Sequence, residues 1–161
     1  MKFYILLISL LLSGCSALPS VFSDARIKDV AYAQVLADAE NYTNTMVRWG
    51  GVIIDLENAE SQSTLKVMSY PLDYYGRPDI DSESEGYFVI KSPERLDPEQ
   101  YTAGRELVAV GVIEGKTTPS PGQNGIGLPV IKASGIHLWP VAYRSNYYWH
   151  CPSCYFQQLY W

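Results

Sequence analysis

Histidine occurs only twice in the 161-residue chain, cysteine three times, and basic side chains are outnumbered, twelve Lys and Arg against seventeen Asp and Glu. The formal charge of −5 and the absence of a basic stripe argue against nucleic acid as a partner, because binding a phosphate backbone needs a cationic face that releases counterions. No apolar run reaches the roughly 20 residues that a membrane-crossing helix requires. A Gly-x-Ser-x-Gly element and a glycine-rich phosphate loop are both missing, which removes the two most readable hydrolase and nucleotide-binding signatures. The remaining composition, 47% hydrophobic and 18% charged, is that of one folded globular domain.

The N-terminus carries the strongest local signal. After Met1-Lys2, the apolar run Phe3 to Leu12 is about 10 residues long, the length of a signal-peptide core. It ends in Leu12-Ser13-Gly14-Cys15, which matches a lipobox: small residues expose the bond before a cysteine that carries diacylglycerol. Residues 1–14 are therefore predicted to be a lipoprotein signal peptide, with Cys15 the lipidated N-terminus of the mature chain. Ser16 stands where lipoproteins retained in the inner membrane carry Asp, so sorting to the periplasmic face of the outer membrane is expected. Several acyl chains on one residue exceed the two-signal threshold for stable anchoring. Residues 15–28 contain Pro19 and several serines with no apolar period and read as a lipidated tether.

Residues 29–140 read as a mainly β domain. Apolar positions at three- and four-residue spacing predict a helix from about Asp29 to Glu40. Strands follow over 46–57, 64–70, 86–91, 105–114 and 129–139, the first two forming a hairpin. In the first strand Val47 and Trp49 are apolar on odd positions but Val52, Ile54 and Leu56 on even ones, so a β-bulge is expected at Gly50-Gly51; a similar slip lies near Ser134-Gly135. Asp97-Pro98-Glu99-Gln100 has the start signals of a short helix between strands 3 and 4. The segment 105–114, apolar on both faces, suits a strand buried on both sides. Five strands arrange most economically as a small closed or partly open barrel of the oligonucleotide/oligosaccharide-binding (OB) type; a β-sandwich is the alternative.

An ordered set of short motifs is shared with a known family. Val47-Arg48-Trp49-Gly50-Gly51-Val52-Ile53, Tyr70-Pro71-Leu72-Asp73, Gly76-Arg77-Pro78-Asp79, Gly86-Tyr87-Phe88, Leu96-Asp97-Pro98, Val110-Gly111-Val112-Ile113-Glu114-Gly115 and Gly135-Ile136-His137-Leu138-Trp139 together resemble the Slp family of outer-membrane lipoproteins. The resemblance covers roughly residues 10 to 140. It implies an outer-membrane lipoprotein of a family named for induction on starvation or entry to stationary phase, and it carries over no catalytic residue. The sequence departs from the pattern after Trp139.

That tail, residues 141–161, holds eight aromatic residues, Tyr147 and Trp149 among them, and Cys151-Pro152-Ser153-Cys154. Tyr and Trp suit surfaces that are wet on one side and apolar on the other, so the tail is read as touching a partner or the membrane, or else folding back over the barrel end. The cysteine spacing fits a redox or half-zinc motif, but zinc would need His150 and His137 as further ligands, and export to an oxidising compartment favours a structural Cys151–Cys154 disulfide. The acidic alternation Asp79, Asp81, Glu83, Glu85 lacks the glycine and terminal glutamate of a calcium loop and reads as a solvated loop. His137 beside Trp139 reads as packed. No catalytic residue, metal or cofactor is expected. The function expected is a non-enzymatic interaction or structural role in the envelope during stress. A competing reading is a binding module for an oligosaccharide or small envelope ligand, with exposed Trp49 and Tyr87 as stacking platforms.

Overall fold

The computed structural model describes residues 20–118 and 127–141. Strands β1 (Met46–Asn58), β2 (Ser63–Tyr70), β3 (Gly86–Ser92), β4 (Glu106–Lys116) and β5 (Pro129–Leu138) close into a barrel in the order β1-β2-β3-β5-β4. All neighbours are antiparallel except β3 and β5, whose parallel pairing from Val89↔Val130 to Lys91↔Lys132 completes the closure. This is the five-stranded Greek-key barrel expected of an OB fold, and closure excludes the sandwich.

The long strand β1 makes closure possible by changing partners. Its first half, Met46 to Val52, pairs with β4 and its second half, from Gly50 on, with β2. Only Gly50–Val52 pairs with both, so the chain turns the barrel's corner at the glycine pair. The expected bulge is not there: the register runs unbroken through Gly50-Gly51 and slips between Ile53 and Asp55. Val47, Trp49 and Ile53 are buried while Val52 is half-exposed, so Val47 and Val52 face opposite sides. The odd phase therefore continues through the glycines, and Ile54 is the extra residue that lets Leu56 face inward. The slip expected near Ser134-Gly135 is present, with Val110 opposite Gly135 and Gly111 opposite Ala133.

The β1–β2 hairpin, the loop up to β3 and the two-sided burial of β4 agree with the sequence reading. Leu107, Ala109 and Ile113 enter the barrel core with Ile53, Leu65, Phe88, Ile90 and Ile131. Val108 and Val110 point outward into a second cluster beneath Phe22, bordered by Val21, Ile27, Met46, Leu72 and Trp139.

Both expected helices shrink. Helix α1 covers only Tyr32–Ala37, followed by a separate 3₁₀ turn at Glu40–Tyr42. It starts late because residues 28–30 serve β1: the Lys28 N–H donates to the Met46 carbonyl, and the Val30 carbonyl accepts the Trp49 indole N–H. Between β3 and β4 there is a single turn instead of a helix. The Asp97 carbonyl accepts from the Gln100 and Tyr101 amides, and Asp97 Oδ1 accepts from Glu99 at 2.9 Å, so the start signal is real. Three residues later Gly104 donates to the Ile53 carbonyl and the Arg105 carbonyl accepts from Ile53, drawing the chain into pairing with β1 before a second turn can form.

The predicted tether also needs correction. Residues 20–28 are part of the folded body: Ser20–Ser23 form a 3₁₀ turn, Phe22 is buried, and Arg48 Nη1 donates to the Phe22 carbonyl at 3.0 Å. One aromatic in an aperiodic segment leaves no period to detect, yet it fills the outer face of β4.

Candidate functional site

A loop spanning 71–79 leaves the end of β2 and crosses the outer face of β1 and β4. Its base is a bridge between Leu72 and Pro78, closed by the Asp79 N–H donating to the Pro71 carbonyl at 2.8 Å. Both base side chains sit over Gly50, where any Cβ would collide with Leu72. Within the loop Asp73 organises a tight turn. Its carboxylate Oδ1 accepts from the amides of Tyr75 and Arg77 at 2.8 and 2.9 Å, its own N–H donates to the Arg77 carbonyl, and its carbonyl accepts from Gly76, which lies at φ 79°. Arg77 then pins the far limb to the barrel: Nε donates to Glu106 Oε2 at 2.5 Å, raising the guanidinium pKa further, and the group lies 5.9 Å from the Trp139 ring centre.

The turn thrusts Tyr74 and Tyr75 into solvent. They are 96% and 74% exposed and pack edge to face with ring centres 5.4 Å apart. Falling between the strands expected over 64–70 and 86–91, they belong to a loop, and sequence pattern alone assigns them no role. The signal was present: Asp-Tyr-Tyr-Gly between two prolines is the composition of a tight turn whose apolar residues have nowhere to fold back.

Beside this finger lies a cleft of about 620 Å³ between residues 22–32 and the surface formed by β1, β2 and the start of the loop. Most of its polar groups are already engaged. Arg48 holds the Phe22 carbonyl, Glu85 accepts from the buried Ser69 hydroxyl at 3.0 Å, and the Tyr32 hydroxyl donates to the Tyr87 carbonyl at 2.8 Å. At the rim, the hydrogen-bonded Arg26 guanidinium holds the Asp24 carboxyl down at about 2.

Of the residues expected at a binding face, Trp49 is misplaced. It is buried, with edge contacts to Tyr32 at 5.8 Å and Phe88 at 5.5 Å, and its indole N–H is spent on Val30. Its odd position puts it on the core side of β1, so it is a wall of the cleft and the seat of α1, not an exposed platform. Tyr87 is outward, 41% exposed, with the Lys66 ammonium 5.3 Å from its ring centre. The barrel wall separates the two, so they form no common stacking surface. His137 packs edge-on between Phe22 and Trp139, as expected. Cys15, Tyr147, Trp149, Cys151 and Cys154 lie outside the described residues. Among the described residues no helix is long and apolar enough to cross a membrane.

The structure of the small single-stranded DNA-binding protein from Streptomyces coelicolor aligns with 58% of this chain and 91% of its own, at 14% identity and a TM-score of 0.40. The OBody AM3L09 bound to hen egg-white lysozyme aligns with 69% of this chain and 94% of its own, at 14% identity and a TM-score of 0.42. The strand order, and not these alignments, defines the fold here. In sequence, the chain is 26% identical over 137 residues to Outer membrane protein Slp of Escherichia coli (strain K12), spanning 84% of this chain and 72% of that one. It is 24% identical over 132 residues to the Uncharacterized lipoprotein YeaY of the same organism, spanning 81% and 68%. The model of the Outer membrane lipoprotein Slp family matches residues 12–161, so the aromatic tail after Trp139 lies within the family's extent and not beyond it. With a match over nearly its whole length, this chain belongs to the Slp family of outer membrane lipoproteins.

Proposed function

We propose that the chain is held by lipid on Cys15 at the periplasmic face of the outer membrane and serves there, without catalysing a reaction, as an interaction or structural protein of the stressed or stationary-phase envelope. The observation that carries this reading is a barrel filled to its walls: Phe88, Ile53, Leu65, Ile90, Leu107, Ile113 and Ile131 are fully buried and occupy the interior. A filled barrel works through its outer surface. An oligosaccharide module is less well supported, because Trp49 is withdrawn into the core and Arg48, Glu85 and Tyr32 of the cleft are bonded internally. A binding pocket needs convergent polar groups left free for its ligand.

Anchoring is tested by Cys15→Ser. The expected result is an unprocessed precursor; mature-size protein still in the outer-membrane fraction would refute lipidation at this residue. In parallel, Ser16→Asp is expected to shift the mature protein to the inner membrane, and unchanged fractionation would show that sorting is read elsewhere.

A further inference from the structure

The exposed tyrosine pair and the anchoring end of the chain are parts of one surface. Val21 and Phe22 are packed into the outer cluster on β4, and Leu72, at the root of the tyrosine finger, packs into that same cluster. Val21 stands only six positions after Cys15, with five residues between them. Fully extended, these six steps span at most about 20 Å. If Cys15 carries the lipid, as proposed above, the surface around Phe22 and Leu72 is held close to the bilayer. The headgroup layer itself is roughly 5–7 Å deep on each side.

We propose that Tyr74 and Tyr75 rest in the headgroup layer of the membrane that holds the lipid, so that the barrel is fixed at two points and keeps one orientation. Each ring is an apolar body with a polar tip, the chemistry that places tyrosine at the boundary between hydrocarbon and water. The finger is already ordered by the Asp73 turn and the Arg77–Glu106 pair, so docking has little conformational entropy to remove. Charge favours a contact confined to this tip. The Asp73 carboxylate is occupied by backbone amides and Arg77 by Glu106, whereas the acidic stretch 79–85 that follows opposes broad attachment to an anionic lipid surface.

The test places the photoreactive residue p-benzoylphenylalanine at position 74, 75 or 60 of the full chain in intact envelopes. Glu60 is exposed in the β1–β2 turn, at the other end of the hairpin from Tyr70; β2 alone, seven steps from Ser63 to Tyr70, is about 23 Å long. Irradiation is expected to give phospholipid-mass adducts from positions 74 and 75 and none from 60. Protein adducts from 74 and 75, no adducts there, or lipid adducts equally from 60 would each overturn the proposal. Processing and acylation are read on the same samples by mass. An unprocessed chain removes the anchor and this inference with it, whereas a mature acylated chain without lipid adducts removes the inference alone.

Discussion

A single methyl group at Gly51 would fall on the backbone of β2. Its Cβ would sit well inside contact distance of the Met68 carbonyl oxygen and 2.9 Å from the Met68 carbonyl carbon, neither of which can move without distorting the pair. Next door, a Cβ on Gly50 would meet the end of the Leu72 side chain, which can rotate, although Pro78 and the Leu107 carbonyl oxygen at 3.1 Å limit the room. Overpacking typically costs about 1–3 kcal/mol, and the smaller entropy of the unfolded chain when alanine replaces glycine offsets about 0.4–1 kcal/mol of it. Gly51→Ala is therefore expected to destabilise the barrel by about 2 kcal/mol, and Gly50→Ala by less than about 1 kcal/mol while displacing the finger's root. Urea unfolding of the two variants checks the order; equal midpoints would show that β2 yields easily. The same pair shows how a sequence can be read correctly in part. Two glycines in a long apolar strand mark the barrel's corner, but the phase slip assigned to them belongs to Ile54, because Val52 counts as apolar in the sequence whether or not it is buried.

Among the elements, the finger of residues 71–79 depends on one side chain from each limb. Asp73 shapes the turn from within, and Arg77 ties it to Glu106 on β4 and to Trp139. The Arg77–Glu106 pair is partly shielded, with side-chain exposures of 30% and 15%, so it is stronger than an open surface bridge yet screened. Arg77→Ala is expected to cost about 1 kcal/mol of global stability, and its larger effect is local. Hydrogen exchange should quicken at the amides of Asp73, Tyr75 and Arg77 while the β1–β4 amides keep their protection; unchanged exchange in the loop would mean that Asp73 suffices. Element types were mostly readable from local pattern, since alternation marks strands wherever one face is wet. Helix lengths were not. Both α1 and the Asp97 turn carry valid start signals, and both are cut short where β1 takes their backbone hydrogen bonds, a competitor distant in sequence.

For the whole molecule, the response to alkali follows from two phenols packed on the core, Tyr32 buried and Tyr101 partly buried. Burial pushes the pKa of Tyr32 above its ordinary value, and the nearby Glu85 charge adds to the rise; burial likewise raises Tyr101, with Glu94 contributing. Tyr32 and Tyr101 both pack against the barrel core, so ionising either opposes the fold. A group whose folded pKa is raised holds its proton more tightly when folded, so its stabilisation is complete below the unfolded value near 10 and is lost as pH rises through the folded one. Thermal stability should therefore fall as pH rises above about 10. Of the thirteen tyrosines, the exposed ones should ionise first, with a second absorbance step at 295 nm that coincides with unfolding. A single step with no change in melting temperature would contradict this.

By itself the sequence determined the order and type of the strands and the family, and it carries the expectation of an export signal with lipid on Cys15, because each rests on residues that are neighbours along the chain or fall in a short ordered set of motifs. Which side of each strand faces the core was determined only where alternation is uninterrupted. Tertiary structure alone decided the rest: that Trp49 lies within the wall, that residues 20–28 clasp β4 instead of hanging free, and that the loop carrying Tyr74 and Tyr75 is rooted through Leu72 in the same cluster as Val21 and Phe22. Burial and proximity are set by contacts between β1, β4 and the segments crossing their outer face, 22–32 and 71–79, which lie far apart in sequence and meet only when the barrel closes.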